Sequence, residues 1–168
     1  MVSDIYSVIN VFSKYAWCEP TKDKGAKAVA QCFKIILERA TPRRPKKLQT
    51  DKGKEFFNTD FGKLMRDNGI EHFATESDQK AAVVERFNRT LKTRLWTFFS
   101  AKRTDRWVDE LQNVVHAYNH SYHRSIHMAP VAVTPNDEDR IWARLYGSDV
   151  TVPINHTSLA PGEKVRLN

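Results

Sequence analysis

Two carboxylates have the placement that metal-assisted phosphate chemistry needs. Asp51 ends the segment KKLQTD and is followed by Lys52-Gly53, so it sits at the C-terminal end of a predicted strand beside a turn. Open α/β sheets place their ligands at such strand ends. Glu85 lies near the start of the longest apolar-periodic stretch, with thirty-three residues between it and Asp51. A carboxylate on a strand end and one on a facing helix offer hard oxygen ligands to a divalent cation, with Mg²⁺ favoured where phosphates complete the shell. Two such ions about 3.5–4 Å apart stabilise the attacking and leaving oxygens of an in-line phosphoryl transfer, and they ordinarily need more than two carboxylates. The same residues also suit ordinary roles: Asp51 as a turn former and Glu85 as a first-turn helix carboxylate.

The surroundings of Glu85 add a second reason to consider phosphate. Arg89 and Lys92 follow at four and seven residues, so they project from the same side of a helix. Cations beside a carboxylate suit a nucleic-acid backbone delivered to a metal. Lys52, Lys54 and Arg86 are the other candidate DNA contacts. A solvated Glu85–Arg89 pair is equally good geometry and is worth only about 0.3–0.5 kcal/mol. His116, His120 and His123 share a helix face with His127 just beyond, a spacing able to hold a metal but without visible supporting residues. Trp96, Trp107 and Trp142 read as core residues rather than stacking platforms.

The elements that must hold these residues follow from periodicity and turn signals. Residues 5–17 are rich in β-branched and aromatic types around Ser13-Lys14, which predicts a hairpin. Val29, Phe33, Ile36 and Leu37 recur at helical steps after Gly25, in a helix that Pro42 stops. Residues 46–50 form a short strand ending at Asp51. Asn58 or Thr59 can cap a helix through Phe61, Leu64 and Met65 that closes at Asn68-Gly69. A strand over 70–74 and a polar loop over 75–80 precede a long helix over 81–99, with Val84, Phe87, Leu91, Leu95 and Phe98 as its buried stripe. Thr104 caps the next helix, whose Trp107, Val108, Leu111, Val114, Val115 and Tyr118 face inward, and a short helix covers 136–146. Strand-like pieces at 150–154 and 164–167 surround Pro161-Gly162. The order is mixed α/β with helices against a sheet.

Bulk properties are compatible with this. The 168 residues suffice for one core and a fragment of a second. A net charge of +7 suits a polyanionic partner, and the charge is concentrated: residues 42–54 hold six basic side chains and residues 86–106 hold seven. No stretch approaches the ~20 apolar residues of a membrane span, and residues 1–20 lack the pattern of a signal peptide. No membrane partner is therefore expected. Cys18 and Cys32 are too far apart for a CxxC pair, and are expected to be reduced, semi-buried fillers. The run Arg43-Arg44-Pro45-Lys46-Lys47 reads as the approach to the Asp51 strand, though it resembles an import signal.

Four ordered segments carry a more specific signal. VINVFSKYAW, LQTDKGKEFFN, VVERFNRTLKTRLW and AYNHSYHRSIHMAPVAV resemble the successive blocks of the integrase catalytic cores of Maverick/Polinton and Ty3/gypsy-type transposable elements, within the retroviral integrase superfamily. LAPGEKVRLN is similar to the opening strand of the small SH3-like or chromodomain-like β module that follows such cores. The resemblance implies an RNase H-like mixed sheet flanked by helices over residues 1–147, with 148–168 as a linker and the start of the β module. It implies a D, D, E triad with Asp51 as second acid and Glu85 as third, binding Mg²⁺ (or Mn²⁺). Arg89 and Lys92 fall where related integrases touch the element's DNA end. The implied reaction is 3′-end processing of element DNA followed by strand transfer into target DNA, by a homo-oligomer acting in the nucleus, or otherwise inside the cell.

The chain departs from the family pattern twice. Asn10 stands where the family often has Asp in VIDxFSKYAW. More consequentially, the family's first catalytic Asp lies on a strand a dozen or more residues upstream of Asn10, whereas Asp4 is only six residues before it, so Asp4 does not inherit the role. That strand is central in RNase H-like sheets, and a core without it exposes two unpaired edges. An N-terminally truncated core, inactive as written and marginally stable, is the resulting expectation. The alternatives are a domesticated, non-catalytic nucleic-acid-binding or interaction domain, and an RNase H-type nuclease, to which the four blocks fit less well.

Overall fold

The computed structural model describes residues 4–74, 82–102 and 106–147. The expected hairpin forms from β1 (Asp4–Ile9) and β2 (Ala16–Thr21), antiparallel with Asp4 opposite Thr21 and Ile9 opposite Ala16. Asn10 organises its turn: the side-chain Oδ1 accepts the amides of Phe12 and Ser13 at 3.0 and 2.8 Å, and its carbonyl accepts that of Lys14 at 2.8 Å. An aspartate would accept the same two amides, which is why Asn10 can replace the family's Asp without altering the turn.

α1 (Ala26–Arg39) packs Val29, Phe33, Ile36 and Leu37 inward and ends before Pro42. β3 (Lys47–Thr50) leads to Asp51. α2 (Thr59–Asp67) starts at Asn58, whose side chain accepts the Phe61 amide at 2.9 Å, and ends at Asn68 before Gly69 with φ +65°, a conformation that glycine adopts without a Cβ penalty. β4 (Glu71–Ala74) then pairs with β3 in parallel.

α3 (Ala82–Lys102) buries Phe87, Leu91 and Leu95, with Val84 and Phe98 only half-buried. α4 (Trp107–His120) buries Leu111, Val114, Val115 and Tyr118. Its N-cap position is Arg106, whose guanidinium pairs with Asp109 at 3.1 Å instead of making a side-chain cap bond. A 3-10 turn at Pro135–Asp137 leads into α5 (Glu138–Tyr146). The loop expected over 75–80 and the strand pieces expected after 147 lie outside the described residues, as does Thr104.

β1–β2 and β3–β4 form separate two-stranded sheets. They lean on one apolar cluster, in which Tyr6 and Val8 of β1 pack with Leu48 of β3, Phe33 of α1 and Phe61 of α2. A second cluster joins Ala16 and Cys18 of β2 to Phe87 and Leu91 of α3 and Leu111 and Val115 of α4. Each fully buried side chain of this size contributes about 1.5–3 kcal/mol relative to exposure, so helices rather than strand ladders hold the two sheets together.

The free edge of β2 is closed by side chains. Buried Asn119 of α4 accepts the Ala16 amide and donates to the Ala16 carbonyl, both at 2.9 Å, and Gln112 donates to the Cys18 carbonyl at 2.9 Å. Alternation then turns the backbone groups of Ile5, Ser7 and Ile9 away from β2, and no protein partner takes them among the described residues.

Several expected core residues sit elsewhere. Trp96 and Trp142 are 69% and 45% exposed, and Val108 is 36% exposed. Leu95 and Ile141 already fill the inward positions, and the next residue on a helix lies about 100° around the axis. Trp107 is half-buried against the second cluster. Cys18 and Cys32 are free and buried rather than semi-buried.

Candidate active site and nucleic-acid surface

Asp51 is exposed immediately after β3, and its Oδ1 accepts the Gly53 amide at 3.1 Å. Thr50 donates its hydroxyl to the Asp51 carbonyl at 2.8 Å and lies 2.9 Å from His72 Nε2 of β4. Burial holds the His72 imidazole below its usual range, so it is neutral near pH 7. These contacts hold the peptide that presents the exposed Asp51 side chain. Lys52 and Lys54 are exposed on the same turn.

Glu85, Arg89 and Lys92 are exposed on α3. No ion pair joins Glu85 to Arg89, and neither Arg89 nor Lys92 is paired with a carboxylate among the described residues. Thr90, Thr93 and Thr97 on the exposed side donate to the carbonyl four residues earlier at 3.0 Å, so they do not neutralise these cations. The salt-bridged face considered for this helix does not form. Arg86 leaves this row: it borders a cleft with Lys14 and His123.

β1 links the two carboxylates. Tyr6 faces the first cluster, and burial pushes its hydroxyl above the usual range, with nearby Cys32 and Asp51 adding to the shift. The next residue points to the opposite face, where the Ser7 hydroxyl donates to Asn88 Oδ1 of α3 at 2.7 Å, one turn beyond Glu85. Tyr6 and Asn88 were not singled out from sequence, because a tyrosine in a strand and an asparagine in a helix carry no chemical signature of their own.

The described residues do not fit a complete metal centre. Asp51 and Glu85 have the right chemistry for a hard cation, but one Asp51 oxygen is already bonded, and no group of three His, Cys, Asp or Glu side chains converges among the described residues. The histidines separate likewise: His116 and His120 stack at 3.9 Å, whereas His123 turns to Ser125 and Tyr118. Arg43 is structural, donating to the carbonyls of Val131 and Val133 at 2.7 and 3.0 Å and lying over the Tyr15 ring.

With this geometry, the chain compares clearly with known proteins. Residues 2–80 match the integrase core domain family. A transposon-derived protein of Caenorhabditis elegans is 36% identical over 129 residues, covering 77% of this chain and 45% of that protein. The chain spans less than half the length of the curated relatives it matches. The catalytic core domain of HTLV-2 integrase, solved in complex with magnesium, superposes with a TM-score of 0.66 at 15% identity, covering 76% of this chain and 81% of that one. The intasome of simian T-cell lymphotropic virus, solved with a PP2A regulatory subunit, gives 0.71 at 18% identity over 95% of this chain and 54% of its own. At such identities the likeness is one of fold, the RNase H-like fold of integrase cores.

Proposed function

Because this chain is a member of the retroviral integrase superfamily, we propose that it supplies the DNA-binding face and two of the three catalytic acids of a transposon integrase. DNA integration is the activity of the family. The observation that carries the finer reading is the pairing of an exposed strand-end Asp51 with an exposed Glu85 whose neighbouring cations, Arg89 and Lys92, have no carboxylate partner among the described residues. Such cations suit phosphates of the DNA backbone, and Lys52 and Lys54 extend the positive surface around Asp51.

The 168 residues by themselves bind DNA without strand transfer, because two acids do not make a two-ion site. A third carboxylate on a strand laid along the open edge of β1 completes the set and makes the reaction dependent on Mg²⁺ (or Mn²⁺). The same assembly works as a homo-oligomer on element ends and target DNA, in the nucleus. The non-catalytic binding reading describes the chain when that strand is not supplied.

The test is a strand-transfer assay on the chain extended by such a strand. Asp51→Asn and Glu85→Gln are each expected to lower strand transfer by on the order of a hundredfold or more while DNA affinity stays within about twofold. Unchanged transfer in either variant would remove that residue from the site. Transfer by the 168 residues alone would refute the incomplete-site reading.

A further inference from the structure

Lys14 is an unusual place for a charge. It is only 9% exposed, it adopts φ +60° in the hairpin turn, and its Nζ donates to its own turn at the Val11 carbonyl, 2.5 Å away. Left-handed turn positions favour Gly or Asn, and a buried ammonium without a counter-charge is costly. A glycine there would remove both penalties.

The surroundings supply a reason for a lysine. A cleft of about 180 Å³ opens between the hairpin turn, α3 and the loop after α4, lined among others by Lys14, Arg86, Tyr118, His123 and Ser125. That is several times the about 30 Å³ a water molecule occupies in the liquid. No carboxylate lines the cleft, and none pairs with Lys14 or Arg86 among the described residues. Two cationic residues therefore line a space also bordered by Tyr118, Ser125 and His123, whose Nδ1 lies 3.1 Å from Ser125 Oγ. Burial, with Lys14 and then Arg86 adding to it, holds the His123 imidazole below its usual range.

We propose that this cleft is an anion site that seats one phosphate group, with Lys14 and Arg86 supplying the charge and Tyr118, His123 and Ser125 the neutral hydrogen bonds. It is separate from the Asp51 and Glu85 pair and does not depend on the integration reading, since inorganic phosphate alone can occupy it. A free phosphate and a nucleic-acid backbone phosphate present the same chemistry.

The test follows the His123 ring resonances of the whole chain while inorganic phosphate is titrated at constant ionic strength. A saturable shift is expected in the unaltered chain, weakened about tenfold or more by Lys14→Gly and by Arg86→Gln, and unchanged by Lys34→Gln on α1. Because glycine suits φ +60°, Lys14→Gly should fold at least as well as the parent, which separates lost binding from lost structure. No saturable shift, full binding by Lys14→Gly, or equal weakening by Lys34→Gln would overturn the site. A short DNA duplex then distinguishes the source. A backbone phosphate is the ligand if Lys14→Gly lowers DNA affinity and reduces its salt slope by about one unit; a free phosphate is the ligand if only the inorganic titration is lost.

Discussion

Asn119 shows how much one side chain can decide here. Its amide group satisfies both backbone groups of Ala16 from inside α4, doing for the β2 edge what another strand would otherwise do. Asn119→Ala leaves a buried donor and acceptor without partners, and urea denaturation should show a loss of about 2–4 kcal/mol. A loss below about 1 kcal/mol would mean that water reaches that edge. The two half-buried histidines make a second residue-level prediction. His72 and His123 both have folded pKa values below the usual about 6.5, so the unfolded chain binds more protons below that pH. Their contribution is complete above about pH 6.5 and is lost as the pH falls toward the folded values. Urea midpoints at pH 7.5 and 5.5 should therefore fall on acidification, and His72→Gln should reduce the difference. Asp51 and Glu85 were legible as candidates from type and placement alone, whereas Tyr6 and Asn88 were not, because only the strand between them gives those residues a role.

Among the elements, the hairpin, α1, α2 and the long α3 were readable from period and turn chemistry. Asn58 and Gly69 bound α2 as their types require. The errors share one origin: Trp96, Trp142 and Val108 are apolar residues next to a position already turned inward, and apolarity alone does not say which of two adjacent helical residues faces the core. Strand pairing leads to a direct measurement. On β1, Tyr6 and Val8 exchange hydrogen bonds with β2, while the amides of Ile5, Ser7 and Ile9 face the unpaired edge. Hydrogen exchange should be faster by about tenfold or more at Ile5, Ser7 and Ile9 than at Tyr6 and Val8. Equal protection across β1 would mean that its second edge is covered, and the case for an incoming strand would fail.

For the whole molecule, the same open edge joins folding to the proposed activity. Two two-stranded sheets held mainly by helices place β1 and β3 on one core without a ladder between them. A strand that pairs with β1 adds backbone hydrogen bonds and a possible third acid together, so the extended chain should show a higher urea midpoint and a larger dependence of stability on urea than the 168 residues alone. An unchanged midpoint would show that the added segment does not enter the sheet. The sequence by itself carried the resemblance to integrase cores, the order of elements and the two candidate acids, because those depend on local residue type, spacing and the wording of four blocks. Only the tertiary structure decided that Glu85 and Arg89 form no ion pair with each other, that α4 closes β2 through Asn119, and that Lys14 and Arg86, seventy-two residues apart, share one cleft. Those contacts join residues distant along the chain, and their energies come from burial and geometry that no local pattern encodes.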